Sequence, residues 1–202
     1  IINAAAYTAV DDAERYKETA DRINHKSLVT ITDACKLLNC WIMHISTDYV
    51  FDGKANLPYK EEDLTNPQSV YGKTKLNGEL LIKNSGCNYL IIRTAWVFSE
   101  YGNNFMKAML RLGERENQVS VIDDQIGCPT YAQDIARAIK QIIPQINDET
   151  ESGIFHFCGK NACSWYDFAS SIFDKAHKYK INIPKKIIPI SASIYPSVAL
   201  RP

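Results

Sequence analysis

The sequence predicts an α/β fold built on a doubly wound parallel sheet. Apolar runs of strand length at residues 40–50, 89–94 and 154–158 alternate with stretches in which apolar residues recur every three or four positions. These runs are of the kind that forms buried strands. Polar residues also gather where the first run ends, at Ser46-Thr47-Asp48. In open sheets of this class ligands bind beyond the carboxyl ends of the strands.

The elements follow in order. IINAAAY reads as the tail of a buried strand and residues 8–12 as a helix start, so the chain is expected to enter its fold midway, incomplete at the N-terminus. From residue 11 to 38, Ala13, Ala20, Ile23, Leu28, Ile31, Ala34, Leu37 and Leu38 mark one helix face. A strand at 40–50 leads into a loop at 51–69, punctuated by Gly53, Pro58 and Pro67 and carrying the solvated acids Glu61, Glu62 and Asp63. A helix then holds Tyr71 and runs to Asn84, ended by Ser85-Gly86, before a strand at 89–94. Residues 105–116 read as a helix with apolar and basic faces, 119–122 as a short strand and 127–131 as a turn. In the helix at 132–143, Ile135, Ala136, Ile139, Ile142 and Ile143 form a core stripe. A strand at 154–158 precedes a helix at 164–177, which opens on a capping-box-like Ser164/Asp167 pair with Trp165 as a staple. A proline-punctuated tail follows, and both ends read as those of a fragment.

Composition bounds the function. The 202 residues are 46% apolar and 23% charged, with no low-complexity tract, which describes a soluble globular chain. Basic and acidic side chains both number 23, so nothing in the charge balance points to nucleic acid or a membrane. No apolar run approaches the roughly 18 residues that span a bilayer. Cys35, Cys40, Cys87, Cys128, Cys158 and Cys163 include no Cys-x-x-Cys pair, and His25, His44, His156 and His177 are scattered. No metal site is therefore expected, the histidines read as core or surface residues, and the thiols as reduced in a cytoplasmic protein.

Tyr71 and Lys75 stand four residues apart, on one face of a helix, with Thr47 upstream at a strand end. A phenol with a pKa of roughly 10 protonates a carbonyl poorly near neutrality, and a neighbouring ammonium would lower that value. Lys75 is expected to supply the charge and to reach a ligand hydroxyl, while Thr47 donates to the same carbonyl. With 11 tyrosines in the chain, chance alone supplies about one Tyr-x-x-x-Lys pair, so the weight lies in the order of parts. A strand ending in Thr47, the Tyr71 helix and a second strand followed by Trp96 make one strand, helix, strand unit.

NAAAYTAVDDAE, ISTDYVFDG, VYGKTKLNGE, RTAWVF, GNNFMKAMLR, VIDDQIGCPT and the Trp165-Tyr-Asp-Phe-Ala segment occur in the same order as in the extended short-chain dehydrogenase/reductases. The chain resembles most closely their dTDP-4-dehydrorhamnose reductase branch. The resemblance implies a Rossmann-like sheet at residues 1–100 and 119–148 and a small substrate-binding subdomain at 101–118 and 149–202. It implies that Tyr71 is the catalytic acid, that Lys75 holds the nicotinamide ribose and lowers the Tyr71 pKa, and that Thr47 tunes the tyrosine and contacts the sugar. Asp48 and Trp96 would line the sugar site, and Ala6, Tyr7 and Thr8, with Tyr71 and Lys75, would touch NADPH or NADH. The implied reaction reduces the C4 keto group of dTDP-4-dehydro-L-rhamnose to give dTDP-L-rhamnose. Such a protein works in the cytoplasm on a dTDP-sugar, and the resemblance admits a homodimer.

One departure from that family concerns the cofactor. Its members open with a glycine-rich turn whose amides hold the pyrophosphate, whereas here no glycine precedes Gly53. These 202 residues are expected to bind cofactor weakly by themselves. Two other readings share the resemblance: a non-catalytic regulatory module, like the beta subunit of methionine adenosyltransferase, and a nucleotide-sugar epimerase. A sugar-nucleotide dehydratase is disfavoured, because Asp48 is followed by Tyr49 where that chemistry uses a second acid.

Overall fold

In the computed structural model, which describes residues 1–195 and 197–202, the chain forms two compact units. The first comprises residues 1–94, 147–157 and 197–202, and the second residues 95–146 and 158–196. The division differs from the one expected. Residues 119–146 belong to the second unit, and the strand at 153–156 returns to the first, because that strand is hydrogen-bonded into the parallel sheet.

The first unit holds a four-stranded sheet of β1 (Ile2–Asn3), β2 (Ile42–Thr47), β3 (Tyr89–Thr94) and a strand at Gly153–His156, in that spatial order and all parallel. β2 pairs with β3 from Ile42↔Tyr89 to Thr47↔Thr94. The helical run expected at 11–38 is present but broken. It comprises α1 (Val10–Arg15), α2 (Lys17–Asp21), a π-helical turn at Arg22–Lys26 and α3 (Ser27–Leu37). After the loop comes α4 (Val70–Asn84), capped by the Ser69 hydroxyl, which accepts from the Gly72 N–H at 3.1 Å. Leu28 and Cys35 of α3, Ile82 of α4, and Ile42 and Ile91 of the sheet are fully buried in one core. That core seats α4 against the strands.

β2 stops three residues before the expected end. The Thr47 Oγ1 accepts from the Tyr49 N–H at 3.2 Å and turns the backbone into a 3-10 turn at Asp48–Val50. The turn carries Tyr49 under α4, where a Cβ on Gly72 would collide with the Tyr49 carbonyl. Glycine at 72 is thus a condition of close approach rather than of helix formation.

The second unit begins with β4 (Val97–Phe98) and α5 (Phe105–Arg115), followed by β5 (Gln118–Ile122), β6 (Ile126–Gly127), β7 (Thr130–Tyr131) and α6 (Ala132–Ile142). The strand of the first unit at Gly153–His156 is β8, and β9 (Cys163–Ser164), α7 (Trp165–Lys178) and β10 (Lys186–Ile190) complete the second. Ser164 and Asp167 form the expected capping box, and Ser164 Oγ also donates to Asp123 at 2.7 Å. Two features differ from the sequence reading. The proline-punctuated tail contains β10, which runs parallel to β5 with Pro189 opposite Val121, and the turn at 127–131 overlaps the end of β6 and contains β7. Pro189 is compatible with a strand because β10 pairs along one edge only. Among the described residues no helix is long and apolar enough to cross a membrane.

Candidate active site

Thr47, Asp48, Tyr71 and Lys75 meet at the carboxyl end of β2 because α4 crosses it there. The Tyr71 side chain is buried, edge-on to Tyr49 with ring centroids 5.3 Å apart. Burial raises its hydroxyl well above the ordinary phenol value, a hydrogen bond with Thr47 pulls the other way, and Asp48 and Tyr49 add to the rise. The expected lowering by Lys75 does not occur in this geometry. The Lys75 Nζ is turned instead toward β2, donating to the Ile45 carbonyl at 2.6 Å and lying 3.1 Å from His44 Nε2.

Lys75 is 1% exposed. Desolvation brings it down to about 8, with Glu79 one turn along α4 opposing that shift. The Thr47 Oγ1 donates to Asp48 Oδ1 at 3.0 Å, and burial raises the Asp48 carboxyl to about 6 against that bond. Beneath the site, Glu79 pairs with Arg93 of β3 at 2.8 Å and accepts from Ser46 Oγ, both partners being almost fully buried. This fixes α4 on the sheet.

Ala6, Tyr7 and Thr8 lie on the segment between β1 and α1. Asn24 holds that segment: its Oδ1 accepts from the Tyr7 N–H at 2.7 Å, and its Nδ2 donates to the Tyr7 carbonyl and to Thr74 Oγ1, each at 3.1 Å. Tyr7 and Tyr49 pack on the same small cluster as Tyr71. Asn24, His44 and Tyr49 were not singled out by the sequence. The signal available was a polar residue on a face otherwise apolar, which Asn24 shows within its helical run and His44 within β2.

Trp96 belongs to the second unit. Its φ of +47° lies in the left-handed region, uncommon for a bulky side chain. The indole stacks on Trp165 with ring centroids 3.4 Å apart and planes 9° from parallel, and a Cβ on Gly127 would strike it. Among the described residues no group of three histidine, cysteine or acidic side chains is placed to hold a metal ion.

The sequence profile of the family described as the RmlD substrate binding domain matches residues 1–202. The chain is 45% identical to the dTDP-4-dehydrorhamnose reductase of Aggregatibacter actinomycetemcomitans, an alignment covering all of this chain and 70% of that protein. This chain belongs to the dTDP-4-dehydrorhamnose reductase family. Solved members share its fold. The reductase structure from Clostridium acetobutylicum superposes with a TM-score of 0.90 at 42% identity, over all of this chain and 68% of that one. The Bacillus anthracis reductase, solved in complex with NADP, gives a TM-score of 0.92 at 37% identity over all of this chain and 69% of that one. The Rossmann-like parallel sheet expected from the sequence is therefore the fold of this reductase family, and the site at the end of β2 sits where open α/β sheets bind their ligands.

Proposed function

We propose that this chain carries the proton-donating site of an NADPH-dependent reductase that converts dTDP-4-dehydro-L-rhamnose into dTDP-L-rhamnose. One observation carries the reading: a buried phenol, kept protonated at neutral pH, is bonded to Thr47 and stands one helical turn from a buried lysine.

The residues around Lys75 fit the nicotinamide end of a dinucleotide. An ammonium has three N–H donors, and His44 and Ile45 engage two of them, so a third can hold a ribose hydroxyl. Tyr71 would share that contact, and Ala6, Tyr7 and Thr8 would touch the cofactor along the segment that Asn24 anchors. The glycine-rich turn that grips a pyrophosphate has no counterpart among these residues, since no glycine precedes Gly53. When bound, the nicotinamide supplies the hydride that reaches C4 of the sugar.

Tyr71 supplies the proton that completes the C4 hydroxyl. Its raised pKa keeps the proton in place until the oxygen gains negative charge. Thr47 holds the phenol in line. We assign Asp48 and Trp96 to the sugar, on the resemblance of their sequence blocks. We also place the reaction in the cytoplasm, as the resemblance of the sequence implies.

NADPH oxidation with dTDP-4-dehydrorhamnose tests the assignment. Tyr71→Phe is expected to lower kcat by about 10²–10⁴-fold with little change in KM, the usual weight of a general acid. Unchanged turnover in that variant would remove Tyr71 from its role.

A further inference from the structure

His44 stands outside the proton-donating group, yet it is 1% exposed and touches the most constrained side chain there. Its two ring nitrogens each meet one partner. Nδ1 lies 3.0 Å from the Asn3 side-chain amide on β1, and Nε2 lies 3.1 Å from Lys75 Nζ on α4. Asn3 sits opposite His44 in the parallel register of β1 and β2, so backbone pairing holds the first contact in place.

Hydrogen counting makes this chain a two-state device. A neutral imidazole has one donor nitrogen and one acceptor nitrogen. His44 stays neutral through the physiological range, since burial first and Lys75 second push it down to about 3. A charged Lys75 offers only N–H groups. Nε2 must then accept, Nδ1 must carry the hydrogen, and Asn3 must present its oxygen. A neutral Lys75 has a lone pair, so Nε2–H can donate to it. Nδ1 then accepts from the Asn3 NH2, while the Asn3 oxygen takes the Ala5 N–H at 3.2 Å. The Ile45 carbonyl accepts from Lys75 in either state.

We propose that His44 is a positioning residue for Lys75, and that the Asn3–His44–Lys75 chain ties the charge on Lys75 to the tautomer of His44. Among the described residues, one other charged group bears on that charge. On α4 it is Glu79, itself paired with Arg93 of β3 at 2.8 Å, and β1 brings the uncharged Asn3. Lys75 is brought down to about 8 by burial, so the two states exchange close to physiological pH. The consequence for reduction rests on the proposed role of Lys75 in holding the ribose. His44 would act on the reaction only through Lys75.

The test is a nitrogen-detected NMR titration of the full-length protein, without cofactor or substrate, following Lys75 Nζ and both His44 nitrogens. The hydrogen on the His44 ring is expected to move from Nδ1 to Nε2 at the same midpoint at which Lys75 loses its proton. His44→Gln places an amide oxygen where Nε2 stood and is expected to keep the Lys75 midpoint. His44→Asn reaches only the Nδ1 position and is expected to lower that midpoint by about one pH unit, a tenfold loss of proton affinity. A His44 tautomer that stays fixed across the Lys75 titration overturns the proposal, as does an equal midpoint in His44→Asn and wild type. Should His44→Asn fail to fold, the wild-type tautomer still decides. A Lys75 shift in His44→Asn that leaves the pH dependence of NADPH oxidation unmoved would support the His44 assignment and refute the catalytic reading of Lys75, so the two can fail separately.

Discussion

Asp48 shows how the environment of a single side chain decides its chemistry. Asp48 is half-buried next to Thr47, and desolvation raises its carboxyl from 3.8 to about 6, so folding favours its protonated form. A folded-state pKa above the unfolded value means a cost that is absent below about pH 4, grows between 4 and 6, and is complete above 6. Asp48→Asn is therefore expected to raise stability at pH 7 by on the order of 2–3 kcal/mol and to leave it unchanged near pH 3.5. Chemical denaturation of both proteins across that range reads the difference, and a constant offset at all pH values would contradict the burial argument. Tyr71 was legible in the sequence as a candidate proton donor, from residue type and spacing. Its raised pKa was not, because desolvation depends on Tyr49, Thr47 and the surrounding chain closing over the ring. The same holds for Lys75, whose partners His44 and Ile45 lie about thirty residues away in sequence.

Helix α4 does its work by lying close. Its Ser69 cap, its Glu79 pair with Arg93 and the bare Cα of Gly72 against Tyr49 all hold it over the end of β2. Gly72→Ala would ordinarily favour a helix, since alanine is the better helix former. Here the added Cβ meets the Tyr49 carbonyl, so overpacking wins and the substitution is expected to cost about 1–3 kcal/mol while drawing Tyr71 off Thr47. Urea denaturation and kcat should fall together; a more stable, fully active variant would show that the contact yields. The C-terminal end of the helix was readable from Ser85-Gly86, because such stop signals are local, whereas the Ser69 cap emerged with the structure. β2 was overrun by three residues, since an apolar Tyr49-Val-Phe continues the strand pattern and only the Thr47 side chain turns the backbone. The strand β10 escaped because Pro189 argues against a strand in any local reading, and only its pairing with β5 shows that the missing N–H is tolerated.

At the scale of the molecule, the first unit is assembled from three separated stretches of chain, and its last piece is tied to its first helix. Asp11 of α1 accepts from the Ala199 N–H at 3.0 Å and from Arg201 Nη2 at 2.6 Å. Arg201 also donates to the Tyr49 hydroxyl at 3.3 Å. Asp11→Ala is expected to lose hydrogen-exchange protection at residues 197–202 while leaving the amides of β2 and β3 as they were. The cost should be modest, about 1 kcal/mol, as the ion pair is partly exposed. Loss of protection across the whole sheet would show that the tail is part of the core. The sequence by itself determined the parallel α/β class, the strand, helix, strand order and the candidacy of Thr47, Tyr71 and Lys75, because periodicity, caps and residue chemistry are local properties. Tertiary structure alone decided the division into two units, the turn of the Lys75 ammonium toward His44 and Ile45, and the pKa values of Tyr71, Lys75 and Asp48. Each of those depends on which distant side chains exclude water and which remain within hydrogen-bond reach, and that is settled only when the strands and α4 come together.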